Sequence, residues 1–487
     1  MIRRLVTSIV VIAALGTRAF AAAPPSTQFT EQSPIPQQAL DAMDRAELGN
    51  LYTPALAAKL PQAHVLLEKY FAALHPNDHK ATLAQLTALN IDPNILGRLT
   101  RIRLYWPELE PGVYYVNERL GPYDIIYFFG VPKAYDRTKS WPLVIKLPGV
   151  HAFVGNPPPN AQQVQELYTG WIQDELRAHG DAIILMPVLN LNELWGPSYK
   201  GVNSVIQPMF HITDRANIDP ARVYLLGQAM SGHATWNLAL HYPTYLAAIN
   251  PMCGGASLPW QRVRVINLGN LRCVVWHDAE DKDIPVEASR ELVKLLKDFK
   301  YDVDYEETKG VGHAPTDELA EKFYTKVRAK TRQLYPKQVS LASNRPDTLL
   351  NRNDWLQVWQ MLAPGREKKA AIMFGSGSLL LQENFYTITA TLAGPNKFEF
   401  TCKNLDSFRI YLNDQMVDFS KPVTITLYGR AKFNGMVKPS LEIMLADQTS
   451  LGRGWRYYTG AIDIDFGTDL PSTRPTTRKG RIEYTPP

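Results

Sequence analysis

The sequence has few cysteines, little net charge and only one extended apolar run. Its 487 residues include 3 cysteines, too few for a disulfide scaffold. The 52 basic and 47 acidic side chains give a formal net charge of +5. This is not the basic excess typical of nucleic-acid-binding proteins, so we expect no nucleic-acid partner. Hydrophobic residues make up 45% and charged residues 20%. This composition excludes a disordered or fibrous chain and indicates a globular protein.

The one extended apolar run lies at the N-terminus. Arg3 and Arg4 precede the mainly apolar segment Leu5–Thr17, and Ala19-Phe20-Ala21 fits a small-x-small cleavage site. The segment is shorter than the roughly 20 residues that span a bilayer, and no later segment resembles a membrane span. The pattern predicts a signal peptide over residues 1–23 and a secreted or periplasmic protein. An uncleaved anchor is the alternative.

Export makes disulfides possible without requiring them. Cys253 and Cys273 lie at the ends of apolar runs that are candidates for neighbouring strands. Cys402 shares one face of an alternating run with Phe398 and Phe400. We favour three buried small side chains, and any pairing among them stays open.

The order of the periodicities predicts a chain of several parts. Apolar residues recur at three- and four-residue steps between Gln37 and about Leu104, which predicts a helical N-terminal region over residues 24–114. Short β-leaning runs then alternate with helical segments across residues 115–335. This alternation predicts an α/β domain with a mostly parallel sheet and helices on both faces.

The C-terminal part has a different pattern. Residues 345–470 contain short alternating segments, and Asn434-Gly435 is a hairpin signal, so a small β domain is predicted there. Residues 471–487 are rich in Pro, Thr, Arg and Lys and predict a flexible tail. We find no internal repeat.

The stretch from Arg222 to Trp236 is the most informative part of the sequence. A β run stops at Gly227 and a helix begins a few residues later, which is the strand–turn–helix context of a nucleophile elbow. Two features come next in the chain order nucleophile, acid, histidine. They are Asp281 after a strand end, and His313 at the end of the glycine-rich segment Gly310-Val311-Gly312-His313. The carboxyl ends of parallel strands share one sheet edge, so we expect these residues to meet.

At these residues the chain resembles secreted α/β-hydrolases of the esterase and prolyl-oligopeptidase type, close to polyhydroxybutyrate-depolymerase-like esterases. Residues 217–225 look like that family's approach to its elbow, and residues 237–251 resemble the segment after that elbow. The resemblance covers about residues 115–335. It implies an α/β-hydrolase fold, a serine–aspartate–histidine triad, no cofactor, and an ester-, peptide- or glycan-like ligand.

The sequence departs from this family at the nucleophile. The family elbow reads Gly-x-Ser-x-Gly, whereas this chain has Gly227-Gln228-Ala229-Met230-Ser231. Ala229 therefore occupies the nucleophile position, and Ser231 occupies that of the second glycine. A methyl group cannot attack a carbonyl, and losing a triad nucleophile costs on the order of a millionfold in turnover.

The resemblance also assigns the oxyanion hole to the backbone N–H groups of Met230 and Val150. The family commonly has Leu-His-Gly-Gly before the second donor, but this chain has Leu147-Pro148-Gly149-Val150-His151. Pro148 carries no N–H, and the second donor can still come from Val150, but the bulk of the valine side chain puts the hole in doubt. Trp195, in the loop at residues 190–198, is a candidate substrate contact or part of a packed surface loop.

Several assignments have alternatives. Asp278 and Asp283 compete with Asp281 as the triad acid, and Ser231 is either a displaced nucleophile or a capping or packing residue. We expect His277, His151 and His233 to be structural or solvent-facing. No set of His, Asp and Glu shows metal-ligand spacing, so no metal is expected.

These observations lead to three hypotheses. The first is a pseudoenzyme that binds a ligand at the former catalytic site. The second is a working ester or peptide hydrolase that uses Ser231 or a water activated by His313. The third is a non-enzymatic protein whose terminal regions bind the cell envelope.

Overall fold

The structure is a computed structural model that describes residues 33–120, 123–149, 160–188, 199–256, 259–345, 351–363, 365–371 and 378–466. The predicted signal peptide, the C-terminal tail and the candidates Val150, His151 and Trp195 lie outside these ranges. Within them, no helix combines the length and apolarity needed to cross a bilayer.

Five helices come first in the described chain. They are α1 (Gln37–Leu48), α2 (Pro54–Ala57), α3 (Leu60–Ala72), α4 (Pro76–Ala88) and α5 (Pro93–Leu99). Proline occupies the first position of α2, α4 and α5, where its missing N–H costs no helical hydrogen bond. Their buried leucines share an apolar cluster with Met444, Leu445 and Tyr457 from the far end of the chain. The N-terminal helices therefore pack against the C-terminal part.

An eight-stranded sheet comes next. Its strands are β1 (Gly112–Leu120), β2 (Tyr123–Val131), β3 (Trp141–Leu147), β4 (Ile183–Pro187), β5 (Ile218–Gln228), β6 (Ala248–Met252), β7 (Arg272–Asp278) and β8 (Val303–Thr308). They are ordered β1-β2-β4-β3-β5-β6-β7-β8. The strands β3 to β8 are parallel, and β2 is antiparallel to both of its neighbours. This is the strand order of the α/β-hydrolase fold that the sequence resemblance implies.

Six helices accompany the sheet. They are α6 (Ala161–Ala178), α7 (Tyr199–His211), α8 (Met230–His241), α9 (Pro259–Val263), α10 (Glu287–Asp298) and α11 (Asp317–Arg328). Every residue of α8 is buried, because this helix packs against β5 and β6 in the centre of the protein. In contrast, α10 and α11 bury one face and expose the other, as their amphipathic sequences predict.

The C-terminal part is mostly β. It contains β9 (Gln338–Ser343), β10 (Arg352–Asn353), β11 (Leu356–Met361), β12 (Glu367–Ala371), β13 (Ser378–Gln382), β14 (Tyr386–Gly394), β15 (Lys397–Lys403), β16 (Leu405–Leu412), β17 (Val423–Leu427), β18 (Arg430–Gly435), α12 (Leu441–Leu451) and β19 (Gly460–Asp465). Two sheets, β18-β17-β15-β14-β9 and β10-β11-β16-β19, accompany a β12-β13 hairpin. The helix α12 lies inside the region where the sequence predicted a small β domain. Phe398 and Phe408 belong to the same buried cluster as Leu225 of β5.

The hairpin prediction at Asn434-Gly435 is wrong. These residues end β18, and the turn lies at Tyr428-Gly429, between the paired residues Leu427 and Arg430. A two-residue hairpin turn of this type needs positive φ at both central positions. Tyr428 has φ 48° and Gly429 has φ 77°. The sequence did not predict this turn because, of its two central residues, only Gly429 is of a type that commonly has positive φ.

The three cysteines are free. Cys253 and Cys273 are buried, and Cys402 is partly buried. This agrees with the expectation of three small packed side chains.

A buried ionic cluster joins the α/β sheet to the C-terminal strands. Asp354, between β10 and β11, accepts hydrogen bonds from Arg332 at 2.8 Å on each carboxylate oxygen. Arg456, just before β19, lies 3.2 Å from the same carboxylate. The Asp354 and Arg332 side chains are 0% exposed and that of Arg456 is 1% exposed. Charges so deeply buried are tolerated only when they are paired.

We expect Asp354→Asn to destabilise the protein by about 3–5 kcal/mol, because it leaves two buried guanidinium groups without their carboxylate. The measurement is the free energy of unfolding in urea. Asp463→Asn is the matched control, since Asp463 also binds an arginine through both oxygens but its side chain is 57% exposed. The control should cost less than about 1 kcal/mol. Equal losses would contradict the role of burial.

Candidate active site

The turn between β5 and α8 has a strained backbone, and its central residue is Ala229. Ala229 joins β5 to α8 with φ 57° and ψ −120°, a left-handed conformation that residues with a Cβ rarely adopt. Its N–H donates to the Met252 carbonyl at 2.9 Å, and its carbonyl accepts from the N–H of His233 at 3.0 Å. Such backbone strain costs about 1–3 kcal/mol and concentrates at functional sites. The strained turn therefore places a methyl group where the family has its serine.

Two glycines allow this turn. A Cβ at Gly227 would lie 2.3 Å from the carbonyl oxygen of Ser231, and one at Gly232 would lie 2.5 Å from that of Met252. Real Cβ atoms do not approach so closely, so both positions require glycine. The close contact between α8 and β6 is made at Gly232. Position 231 therefore does not have to be glycine and can carry a side chain.

Ser231 is not placed as a surface nucleophile. Its side chain is fully buried in the first turn of α8. The hydroxyl donates to the Pro148 carbonyl at 2.7 Å. It therefore binds the loop after β3 and does not cap a helix N–H. The capping prediction for Ser231 is wrong, and the packing alternative describes the structure.

Asp281 and His313 meet as the sequence order predicted. Nδ1 of His313 lies 2.8 Å from Oδ2 of Asp281. The other carboxylate oxygen accepts the N–H groups of Asp283 and Ile284 at 2.8 and 3.1 Å. Burial opposes ionisation, but the hydrogen bonds from His313 and these two backbone groups hold the pKa of Asp281 below its usual range. An ionised Asp281 requires a proton on Nδ1, so a neutral His313 carries its lone pair on Nε2.

The alternative acids occupy other positions. The Asp283 carboxylate lies 4.0 Å from Nδ1 of His313, and its side chain is 62% exposed. Asp278 faces the loop before His313, where it accepts the Thr308 hydroxyl at 2.8 Å and the Val311 N–H at 2.9 Å. The geometry therefore pairs His313 with Asp281.

A contact that the sequence did not reveal ties the histidine loop to the elbow. The side-chain amide of Gln228 donates to the carbonyl of His313 at 2.9 Å. In the loop before His313, Gly310 and Gly312 lie on either side of Val311 and have positive φ values of 83° and 86°, a backbone conformation that favours glycine. Gln228 comes directly before Ala229. The sequence did not predict its contact with the His313 loop, because a single glutamine in an elbow is not a recognisable motif. It holds the histidine loop next to the nucleophile position.

Met230 is the described member of the predicted oxyanion hole. It opens α8, and the first N–H groups of a helix have no partner within that helix. The turn at Ala229 therefore sets the direction of the Met230 N–H. The second predicted donor, Val150, and the predicted ligand contact, Trp195, are among the residues that the structure does not describe.

Two groups of side chains around Asp281 have the proximity of metal ligands. Cys253, His277 and Asp281 form one group, and Asp281, Asp283 and His313 form the other, with donor atoms within 4.8 Å of each other. The sequence did not predict either group, because their members come from different strand ends. His277 is fully buried, with Nδ1 2.8 Å from the Ser289 hydroxyl and Nε2 3.0 Å from the Ile284 carbonyl. Its ring nitrogens are thus committed within the protein.

Of the three histidines expected to be structural or solvent-facing, the structure describes His277 and His233. Like His277, His233 is buried, and its Nδ1 bonds the backbone of Gly255. Burial is the main cause that lowers the pKa of His233. A buried neutral imidazole that bonds the backbone supports the fold.

Comparison with known proteins gives a fold-level likeness only. No protein-family model matches the chain, and no curated protein matches it. One similar structure is a thermostable esterase, with 23% identity over 46% of this chain and 64% of that one, at a TM-score of 0.37. A ferulic acid esterase from Anaeromyces mucronatus has 11% identity over 45% and 90% of the two chains, at a TM-score of 0.33. Dipeptidyl peptidase 4 of Porphyromonas gingivalis has 11% identity over 45% and 35%, at a TM-score of 0.34.

The matched region thus spans less than two thirds of the thermostable esterase. Identities and TM-scores this low identify neither a substrate nor an activity.

The acid that holds the histidine loop gives a pH prediction. Burial opposes ionisation of Asp278, but hydrogen bonds from Val311, Glu280 and Thr308 keep its pKa below the usual range. A lowered pKa contributes stability above the unfolded value of about 3.9, and this stability is lost as the pH falls through the folded value. At pH 7 we expect Asp278→Asn to cost about 1–3 kcal/mol.

The difference between Asp278→Asn and the unchanged protein should shrink as the pH falls below about 4. Urea unfolding at a series of pH values measures it. Asp283→Asn serves as the control, because that carboxylate is largely exposed. A difference that stays constant down to strongly acid pH would show that the ionised carboxylate is not what stabilises the loop.

Proposed function

We propose that the chain is an exported protein of α/β-hydrolase type that binds an ester-, peptide- or glycan-like ligand as a pseudoenzyme. The observation that carries the proposal is Ala229 in the strained elbow conformation, next to a formed Asp281–His313 pair. The eight-stranded order of the sheet supports the fold. The N-terminal sequence supports export.

A serine hydrolase requires three side chains that act together: an acid, a histidine and a nucleophile. Asp281 orients the imidazole of His313, and Nε2 of His313 would take a proton from the nucleophile. Ala229 offers no proton and no attacking oxygen. The oxyanion hole and substrate binding alone retain a rate about 10³–10⁴ above that in water, against the roughly millionfold loss from a missing nucleophile. Ligand binding is thus the function that the remaining groups support best.

Ser231 is a poor replacement for the missing serine. To attack a ligand, its hydroxyl would have to leave the Pro148 carbonyl and emerge from a fully buried position. That movement would break the hydrogen bond to the Pro148 carbonyl, at a cost of about 0.5–1.5 kcal/mol.

One observation favours a second candidate function, hydrolysis by a water molecule activated by His313. The imidazole side chain is 28% exposed while its Asp281 partner is 0% exposed. Solvent therefore has access to the ring, and a positioned histidine is a competent general base. This activity would be weak, because water has to be held in place of a covalently attached nucleophile.

The test is restoration of the nucleophile by Ala229→Ser. We expect hydrolysis of p-nitrophenyl acetate to rise by on the order of 10³-fold or more over the unchanged protein, because the elbow, Asp281 and His313 are in place. The initial rate of p-nitrophenolate release is the measurement. A rise that is smaller than tenfold would mean that the pocket no longer supports acyl transfer.

Two further variants make the result specific. Adding His313→Gln to Ala229→Ser should abolish the gain, since the introduced serine would lose its base. Adding Ser231→Ala should preserve it, because the Ser231 hydroxyl binds only the Pro148 carbonyl in this account. An unchanged protein that hydrolyses the ester and loses activity on Ser231→Ala would overturn the pseudoenzyme proposal. Loss of the unchanged protein's activity on His313→Gln alone would support the activated-water candidate.

A further inference from the structure

A buried arginine without a described counter-charge lies where the α/β sheet meets the C-terminal strands. Arg264 begins the 3₁₀ turn Arg264–Leu268 that comes after α9, and this turn packs against β9. Its side chain is 1% exposed. This places a guanidinium group inside the protein, at the contact between two parts of the chain.

The polar contacts of Arg264 are few. Its Nη1 donates to the Ser343 hydroxyl at 3.3 Å and its Nη2 donates to the side-chain oxygen of Asn344 at 2.7 Å. Its Nε is buried and has no hydrogen-bond partner among the described residues. Two of five N–H hydrogens are accounted for, and no carboxylate of the described chain pairs with the group.

Other buried arginines of the same junction are paired. Arg332 binds both oxygens of Asp354, and Arg352 binds Asp447 at 2.5 Å. Arg264 is flanked instead by the rings of Trp260 and Phe385, with centroids 5.9 and 5.5 Å from the guanidinium carbon. Aromatic faces attract a cation, but they do not neutralise it.

Arg264 remains a cation at neutral pH. Burial, the main cause, lowers its pKa to about 10, which is still above the pH of any ordinary compartment. A buried charge that cannot lose its proton needs an anion nearby. The nearby titratable groups are the weak acids Tyr386 and Tyr242, the imidazole of His241 and the cation Arg345, and none of them supplies a negative charge at neutral pH.

Further donors surround the same guanidinium. The indole N–H of Trp260 is buried and, within the part of the chain that the structure describes, has no hydrogen-bond partner. The Ser343 oxygen accepts from Arg264 and from the N–H of Arg345, so its own hydroxyl hydrogen is available to an acceptor. Trp260 and Arg345 are partly exposed, which offers a route from solvent to these donors.

We propose that Arg264, Trp260 and Ser343 form a binding site for a small carboxylate anion. A planar carboxylate matches the fork of a guanidinium edge and brings one negative charge to one buried positive charge. A doubly charged phosphate or sulfate fits less well, because the aromatic walls would strip its hydration without offering a second buried cation. The anion would stabilise the junction between the α/β sheet and the C-terminal strands.

This site is separate from the elbow. Ala229 precedes α8, whereas His241 ends that helix and lies 5.6 Å from the Trp260 ring, centroid to centroid. The 12 residues of α8 span about 18 Å. The carboxylate site therefore does not depend on the proposed ligand site at Ala229, and its test does not depend on that proposal.

The experiment uses acetate as the probe on the full mature chain after exhaustive dialysis. At constant ionic strength, replacing sodium chloride by sodium acetate should raise Tm by a few degrees, with a saturable dependence on acetate concentration. Calorimetric titration of acetate should give one site per chain. Equal Tm values in acetate and chloride, with no heat of binding, would overturn the proposal.

Arg264→Met removes the charge and keeps most of the volume. Its Tm should no longer depend on acetate, and in chloride it should equal or exceed that of the unchanged protein, because an unpaired buried charge has been removed. Arg262→Met is the matched control two residues earlier, where the side chain is exposed and the acetate response should persist. An acetate response retained in Arg264→Met would contradict the assignment. If that variant does not fold, the acetate and chloride comparison on the unchanged protein decides.

Discussion

The close approach of α8 to β6 is the constraint on which the candidate site depends. Gly232 allows the helix to meet the Met252 carbonyl, and the same carbonyl accepts the N–H of Ala229. These backbone contacts hold the strained turn without help from the side chain at position 229. The shape of the elbow therefore does not depend on a hydroxyl group at position 229.

The remaining groups of the site are held in the same way, by contacts outside the nucleophile. Asp281 is fixed by two backbone N–H groups, and the loop that carries His313 is tied down by Asp278 and by Gln228. None of these contacts involves the missing hydroxyl. These supports hold Asp281 and His313 in place independently of the side chain at position 229, as the proposed ligand site requires.

The sequence predicted the parts of the fold that have local signals. Alternating apolar runs and helices indicated the parallel sheet, and the chain order of Asp281 and His313 indicated their contact. It did not reveal α12, whose helix lies among strands, or the turn at Tyr428-Gly429, where a tyrosine stands in a position that favours glycine. It also missed Gln228, the Ser231 contact with Pro148 and the buried charge of Arg264, because these depend on residues that are distant in the chain.

The central claim is that the elbow of this protein carries no reactive oxygen. Exposure of the unmodified protein to a fluorophosphonate, with intact-protein mass measurement afterwards, tests it directly, because the reagent forms a P–O bond with an activated serine and releases fluoride. The account predicts an unchanged mass. A stoichiometric adduct that peptide mapping places on Ser231 would contradict it, and would show that a hydroxyl in this elbow is both accessible and activated.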